Sequence, residues 1–90
     1  MENRTPYIQH NFVVTLFVDG KCQTDCLSID SKTFPKLLEE DYFNQDANKV
    51  ICLRKAAADW YETLEIGIVS FWYQGCDQAY LDKDGNVVFE

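Results

Sequence analysis

The run FVVTLFV at residues 12–18 constrains the fold more than any other feature of this chain. A stretch dominated by β-branched and aromatic residues reads as a central strand covered on both faces. Asp19-Gly20 follows at once, and both residues favour the positive φ of a two-residue hairpin turn. The chain therefore predicts a hairpin, with residues 21–29 as the return strand. On that strand Cys22, Thr24, Cys26 and Ser28 share one face, and Gln23, Asp25, Leu27 and Ile29 share the other.

Beyond the hairpin, Ser31 or Thr33 offers a helix cap, and Pro35 is tolerated in a first turn. Phe34, Leu37, Leu38 and Tyr42 recur at helical spacing, so residues 33–43 predict a short amphipathic helix. Glu39, Glu40 and Asp41 fall in its last turn, where acids oppose the helix dipole. A second stripe, Val50, Leu53, Ala57, Trp60, Tyr61 and Leu64, predicts a longer helix over residues 47–64, capped by Asp46 or Asn48. The β-branched pair Val50-Ile51 keeps a short strand at residues 50–53 as the alternative, with the helix then starting at Lys55.

Residues 66–73, IGIVSFWY, have strand composition. Gln74-Gly75-Cys76-Asp77 reads as a turn, residues 78–82 as a short strand, Lys83-Asp84-Gly85-Asn86 as a second hairpin turn and residues 87–90 as an edge strand. The order ββααβββ implies an α+β fold, an antiparallel sheet of about five strands with two helices packed on one face. Residues 1–10 are expected to form a flexible lead-in and residues 11–90 a single domain. With 47% hydrophobic and 14% aromatic residues, the chain lies outside the composition of disordered acidic segments and can supply one small core.

No apolar signal-like region follows Met1, and no apolar stretch approaches the roughly 20 residues of a membrane helix. A cytoplasmic protein without membrane contact is expected, and Cys22, Cys26, Cys52 and Cys76 are then expected as free thiols. On an extended strand Cys22 and Cys26 lie about 13 Å apart, too far to share an ion, so no metal is implied. His10 is the only histidine. It falls in the lead-in and is expected to be solvated, which leaves Ser-His-Asp and Cys-His chemistry without its base. Asp82-Lys83-Asp84-Gly85-Asn86 begins like an EF-hand loop, but its glycine is fourth rather than sixth and the chain ends before the twelfth position. No glycine-rich phosphate loop is present. The expectation is a protein that is not an enzyme and holds no cofactor.

Charge separates the two parts of the chain. The net charge is −7. Residues 1–55 hold eight acids and seven bases, whereas residues 56–90 hold seven acids against Lys83 alone. The same 35 residues carry seven of the thirteen aromatic side chains. Direct nucleic-acid binding is opposed by this balance, because stacking aromatics serve that purpose beside positive grooves. Strand alternation places Ile66, Ile68, Ser70 and Trp72 on one face and Val69, Phe71 and Tyr73 on the other, so some of Phe71, Trp72, Tyr73 and Tyr80 should face solvent.

Exposed aromatics rimmed by carboxylates suit a protein-binding surface for a basic partner. The expected function is a small acidic module of the inhibitor, immunity or anti-defence type. It would occlude a basic surface of a nuclease or another nucleic-acid-binding protein, and in a stronger version its carboxylates would mimic DNA phosphates. The expected contact residues are Asp59, Glu62, Glu65, Trp72, Tyr73, Asp77 and Tyr80. The alternatives are a self-associating structural domain, which makes the chain a monomer or a homodimer, and a small-ligand-binding domain.

Overall fold

A computed structural model describes residues 4–89. Met1 to Asn3 of the expected lead-in, and Glu90 of the expected last strand, lie outside the described residues. The elements are β1 (Thr5–Val18), β2 (Lys21–Asp30), a 3-10 turn (Pro35–Leu38), α1 (Glu40–Phe43), α2 (Asp46–Tyr61), β3 (Ile66–Leu81) and β4 (Val87–Val88). The four strands form one antiparallel sheet in the order β2-β1-β3-β4. The fold is α+β, as expected, but with four strands and not five.

The hairpin forms where the sequence places it. Asp19 and Gly20 both have positive φ, 50° and 83°, the geometry of the turn that matches strand twist. Thr63 Oγ1 donates to Asp19 Oδ1 at 2.7 Å and the Asp19 amide donates to the Glu65 carbonyl at 3.0 Å, which ties the turn to the start of β3. The strand itself reaches back to Thr5, so residues 5–10 of the expected lead-in are paired backbone opposite β3.

The fifth strand disappears because β3 does not break at Gly75. Two residues of β3, Val69 and Gln74, have no partner in the β1 register, where Leu16 pairs with Ile68 and Thr15 with Ser70, then Phe12 with Tyr73 and Asn11 with Gly75. These are β-bulges. Gly75 has φ +106°, a backbone that side chains resist, so the glycine lets the strand absorb an extra residue instead of turning. The result is one strand of 16 residues where two short ones were expected.

The bulge at Val69 also changes which residues share a face. Ile66, Ile68, Phe71 and Tyr73 lie opposite Val18, Leu16, Val14 and Phe12, while Ser70 and Trp72 lie opposite Thr15 and Val13. The simple alternation expected for residues 66–73 is therefore broken after Ile68.

The helices cover one face of the sheet. The first expected helix, residues 33–43, is a single 3-10 turn and a four-residue α-helix, split at Glu39 in extended conformation. Glu40 and Asp41 consequently sit in a first helical turn, not in a last one. The second helix holds, and residues 50–53 are helical and not a strand. Its first residue is Asp46, and no side chain caps it from Gln45. Cys52, Leu53 and Ala57 of α2 meet Phe12, Val14 and Leu16 of β1 and Leu27 and Ile29 of β2, with Leu37 closing the core. Burial of each large side chain in this set contributes about 1.5–3 kcal/mol. Leu64 of the expected stripe lies beyond the end of α2 at Tyr61 and is exposed, and Trp60, inside the last turn of the helix, is exposed as well.

Among the described residues no helix lies on the other face of the sheet. Val13 and Thr15 of β1 are half-buried and Phe17 is exposed, so β1 is covered on one face and not on both. Among the described residues no helix is long and apolar enough to cross a membrane.

Candidate functional site

The seven expected contact residues do not form one patch. Glu65 and Tyr80 stand at opposite ends of β3, about 50 Å apart at 3.3 Å per residue, and the long dimension of the molecule is 51 Å. Asp59, Glu62 and Glu65 gather at the end that holds the Asp19 turn. Glu62 ends α2 in a left-handed conformation, φ 54°, and its amide donates to the Ala58 carbonyl. The last turn of α2 carries Asp59 and no base, so these acids remain unfavourably placed against the helix dipole. Tyr80 is half-buried at the far end, with the Arg4 guanidinium 4.2 Å above its ring.

Trp72 and Tyr73 point to opposite faces, as adjacent strand residues must. Tyr73 belongs to the helix side, where it meets the residue the sequence placed in solvent. His10 is 4% exposed. Its imidazole stacks on Phe43 with ring centres 3.6 Å apart and planes 10° from parallel, and its Nδ1 lies 2.8 Å from the Tyr73 hydroxyl. Nε2 is buried without a hydrogen-bond partner. Burial, followed by the nearby Lys49 ammonium, holds the imidazole pKa below its ordinary 6.5. Lys49 Nζ itself sits 4.8 Å from the Phe43 ring centre. Burial and a hydrogen bond to Cys76 push the Tyr73 phenol up to about 12, so it stays protonated and able to donate to His10.

This cluster is a stability element that titrates. A histidine whose folded pKa is lowered stays neutral in the fold and takes up its proton more readily in the unfolded chain. Its contribution is complete above pH 6.5 and is lost as pH falls from there toward the lowered folded value. The urea midpoint is expected to drop between pH 7.5 and pH 5.5, and His10→Phe, which keeps the stack on Phe43, is expected to abolish that part of the drop. An identical pH profile in the variant would exclude His10 as the cause.

The open sheet face is where the expected binding character gathers. Cross-strand rows run Cys22–Phe17–Gly67, Thr24–Thr15–Ser70, Cys26–Val13–Trp72 and Ser28–Asn11–Gly75. None of these twelve residues is charged. Trp72 is 73% exposed at the centre, with Phe17 at 45% and the bulged Val69 at 54%. The polar members largely satisfy one another: Gln9 Nε2 and Ser28 Oγ donate to Asn11 Oδ1 at 2.9 and 2.7 Å, and Thr15 and Thr24 hydroxyls lie 3.3 Å apart. Their needs are met within the sheet, which lowers the cost of covering them.

Carboxylates bound this uncharged field at both ends. The next row is Asp30–Gln9–Asp77, in which Asp30 accepts from Tyr7 and Thr33 and Asp77 accepts from Asn11. At the other end stand Asp19 and Glu65, with Lys21 beside them. Val69 was missed because simple alternation sets it on the face opposite Trp72, and Val13 and Phe17 because FVVTLFV reads as buried on both faces. Thr15, polar in the middle of that run, is the one local sign of an open side.

Among the described residues no group of three or more His, Cys, Asp or Glu side chains is arranged to hold a metal ion. Asp82 folds its carboxylate back onto the amides of Asp84 and Asn86 at 2.9 Å each, an Asx-type turn that holds its pKa below the usual carboxylate range. A depression lined by Arg4, Pro6, Gln78, Ala79 and Tyr80 is open to solvent and not enclosed. Comparison with protein-family models, with curated proteins and with solved structures gives no match.

Proposed function

We propose that the chain is a protein-binding module without catalytic activity, of the inhibitor or immunity kind, which docks a basic partner through its open sheet face. The observation that supports this reading is the field around Trp72: four uncharged cross-strand rows with exposed aromatic and aliphatic side chains, ended on both sides by carboxylates. A large apolar anchor inside a ring of charge is the usual anatomy of a binding surface. The excess of acid steers a positive partner toward it. Nucleases and other nucleic-acid-binding proteins are the class of target, because their phosphate grooves are positive.

The carboxylates fit a rim better than a phosphate mimic. Asp19 and Asp30 are eleven residues apart along one hairpin arm, about 36 Å at strand spacing, whereas duplex DNA carries one charge about every 1.7 Å of its axis. The surface between them is uncharged.

The test is the salt dependence of binding to a partner captured from the native host and then purified. Affinity is expected to fall as sodium chloride rises from about 50 to 200 mM, because rim charges are screened over roughly one Debye length. The quadruple change Asp19→Asn, Asp30→Asn, Glu65→Gln and Asp77→Asn should flatten that dependence. An affinity indifferent to salt in the parent protein would contradict the choice of a basic partner.

A further inference from the structure

Ten of the sixteen residues of β3 are hydrophobic, yet none of the sixteen is fully buried. From Ile66 to Cys76 it carries no charged side chain and no proline. Its inner side is paired with β1 along the whole length, while on its outer side only Tyr80 and Leu81 are paired, with β4. The outer edge of Ile66, Gly67, Ile68 and onward to Ala79 therefore has no strand beside it. Among the described residues, no backbone hydrogen bond from outside the sheet reaches that edge.

Such an edge is normally blunted by charge, proline or a covering element, since unpaired amides and carbonyls are a template for another strand. The opposite edge of this sheet shows the device at work. On β2 the Cys26 amide is capped by the Asp25 carboxylate at 2.8 Å, and Asp25 is held in turn by the Tyr61 hydroxyl at 2.5 Å. β3 has only its two bulges. Lys21, Asp25 and Asp30 punctuate the β2 edge with charge, whereas residues 66–76 of β3 carry none.

We infer that the free edge of β3 receives an extended segment of the partner protein as an added antiparallel or parallel strand, about ten residues long and basic at its ends. This rests on the reading of the chain as a module for a basic partner and names the mode of binding. Backbone chemistry sets the conformation of the occupant, because a row of strand amides and carbonyls is satisfied by another strand. Charge sets its ends. The uncharged run is flanked by Glu65 on one side and Asp77 on the other, so Lys or Arg near each end of the incoming segment completes cross-strand pairs.

The same charges argue against a second copy of this chain as the occupant. Antiparallel pairing centred on the uncharged run sets Glu65 of one copy against Asp77 of the other. Parallel pairing in register sets each acid against itself. Like charges directly opposite destabilise a pair of strands, and the net charge of −7 on each copy adds to the repulsion.

The test uses synthetic twelve-residue peptides with an alternating Thr-Val centre and either two lysines or two glutamates at each end. Binding is read by NMR titration of the isotope-labelled protein and by amide hydrogen exchange over residues 66–79. The lysine-ended peptide is expected to bind at least about tenfold more tightly than the glutamate-ended one, because its end charges meet Glu65 and Asp77. At saturation it should slow exchange of the outward amides of β3 about tenfold or more. N-methylation of one alternating set of peptide amides should abolish binding, while methylation of the complementary set should leave it. Absence of binding, or binding that leaves exchange in residues 66–79 unchanged, overturns strand addition. In the second case, a retained preference for lysine leaves the basic-partner reading standing. Equal binding of the two peptides with full edge protection overturns the basic occupant instead. Protection that appears without peptide and grows with protein concentration assigns the edge to a second copy and also overturns the proposal.

Discussion

Trp72→Ala is expected to weaken partner binding by about 30- to 1,000-fold, the range of a central aromatic anchor, while changing the unfolding free energy by no more than about 0.5 kcal/mol. The asymmetry follows from where the indole sits. At 73% exposure Trp72 gives little to the core, and its neighbours on the open face, Val13 and Cys26, are joined to it through the sheet backbone. In a complex the same ring has the most surface to lose to a partner. Calorimetric titration and urea denaturation of the same variant separate the two effects. Trp60→Ala supplies the contrast: Trp60 is also exposed, but it lies beside Ala56, Cys26, Leu27 and Ser28 at the β2 border, away from the centre of the uncharged field. Its loss is expected to cost binding less than about tenfold.

The largest expected effect on stability is at Phe12. The ring is 1% exposed and meets Phe43 at 6.4 Å, Phe71 at 5.9 Å and Tyr73 at 5.3 Å between centroids. It thus joins β1 to β3 and to the short helix α1. Phe12→Ala removes the transfer energy of the ring and leaves a cavity that the paired strands on either side cannot close, about 3–5 kcal/mol in all. Small domains have only about 5–15 kcal/mol to lose, so the midpoint of urea unfolding should fall by at least about a fifth. Phe12→Leu keeps most of the volume and should cost less than half as much. Equal losses for the two variants would show that the site collapses freely, contrary to its position between two continuous strands.

Much of the fold was legible because local chemistry and tertiary packing agree there. The Asp19-Gly20 turn, the face assignment of β2 and the span of α2 all follow from patterns of two or three and four residues. Disagreement begins where a residue has two uses. Gly75 signals a turn by itself, but a positive φ also suits a bulge, and only the long pairing of β1 with β3 decides between them. Pro35 and the apolar spacing of Phe34, Leu37 and Leu38 suggest one helix, yet Glu39 is extended and the segment splits.

Of the candidate site, the sequence located the strand but not the face. The expectation that some of Phe71, Trp72, Tyr73 and Tyr80 face solvent holds for Trp72 and Tyr73, which are 73% and 42% exposed. Which residues share a face with Trp72 was not legible, since the bulge at Val69 reverses the phase until the bulge at Gln74 restores it, and no pattern within residues 66–73 announces the first. His10 was missed for a different reason. Residues 5–10, TPYIQH, hold a proline and read as part of a polar lead-in, but β3 is long enough to pair with them, and α1 brings Phe43 over the imidazole. Long-range pairing overrode local propensity.

The most direct measurement of the central claim is the fluorescence of a single tryptophan. In Trp60→Phe the only indole left is Trp72, at the middle of the open face. Partner binding is predicted to move its emission to shorter wavelength and to remove its quenching by iodide, while the converse variant, Trp72→Phe, reports little change from Trp60. A complex that leaves Trp72 emission and quenching as they are in the free protein would contradict the assignment of this face as the binding surface.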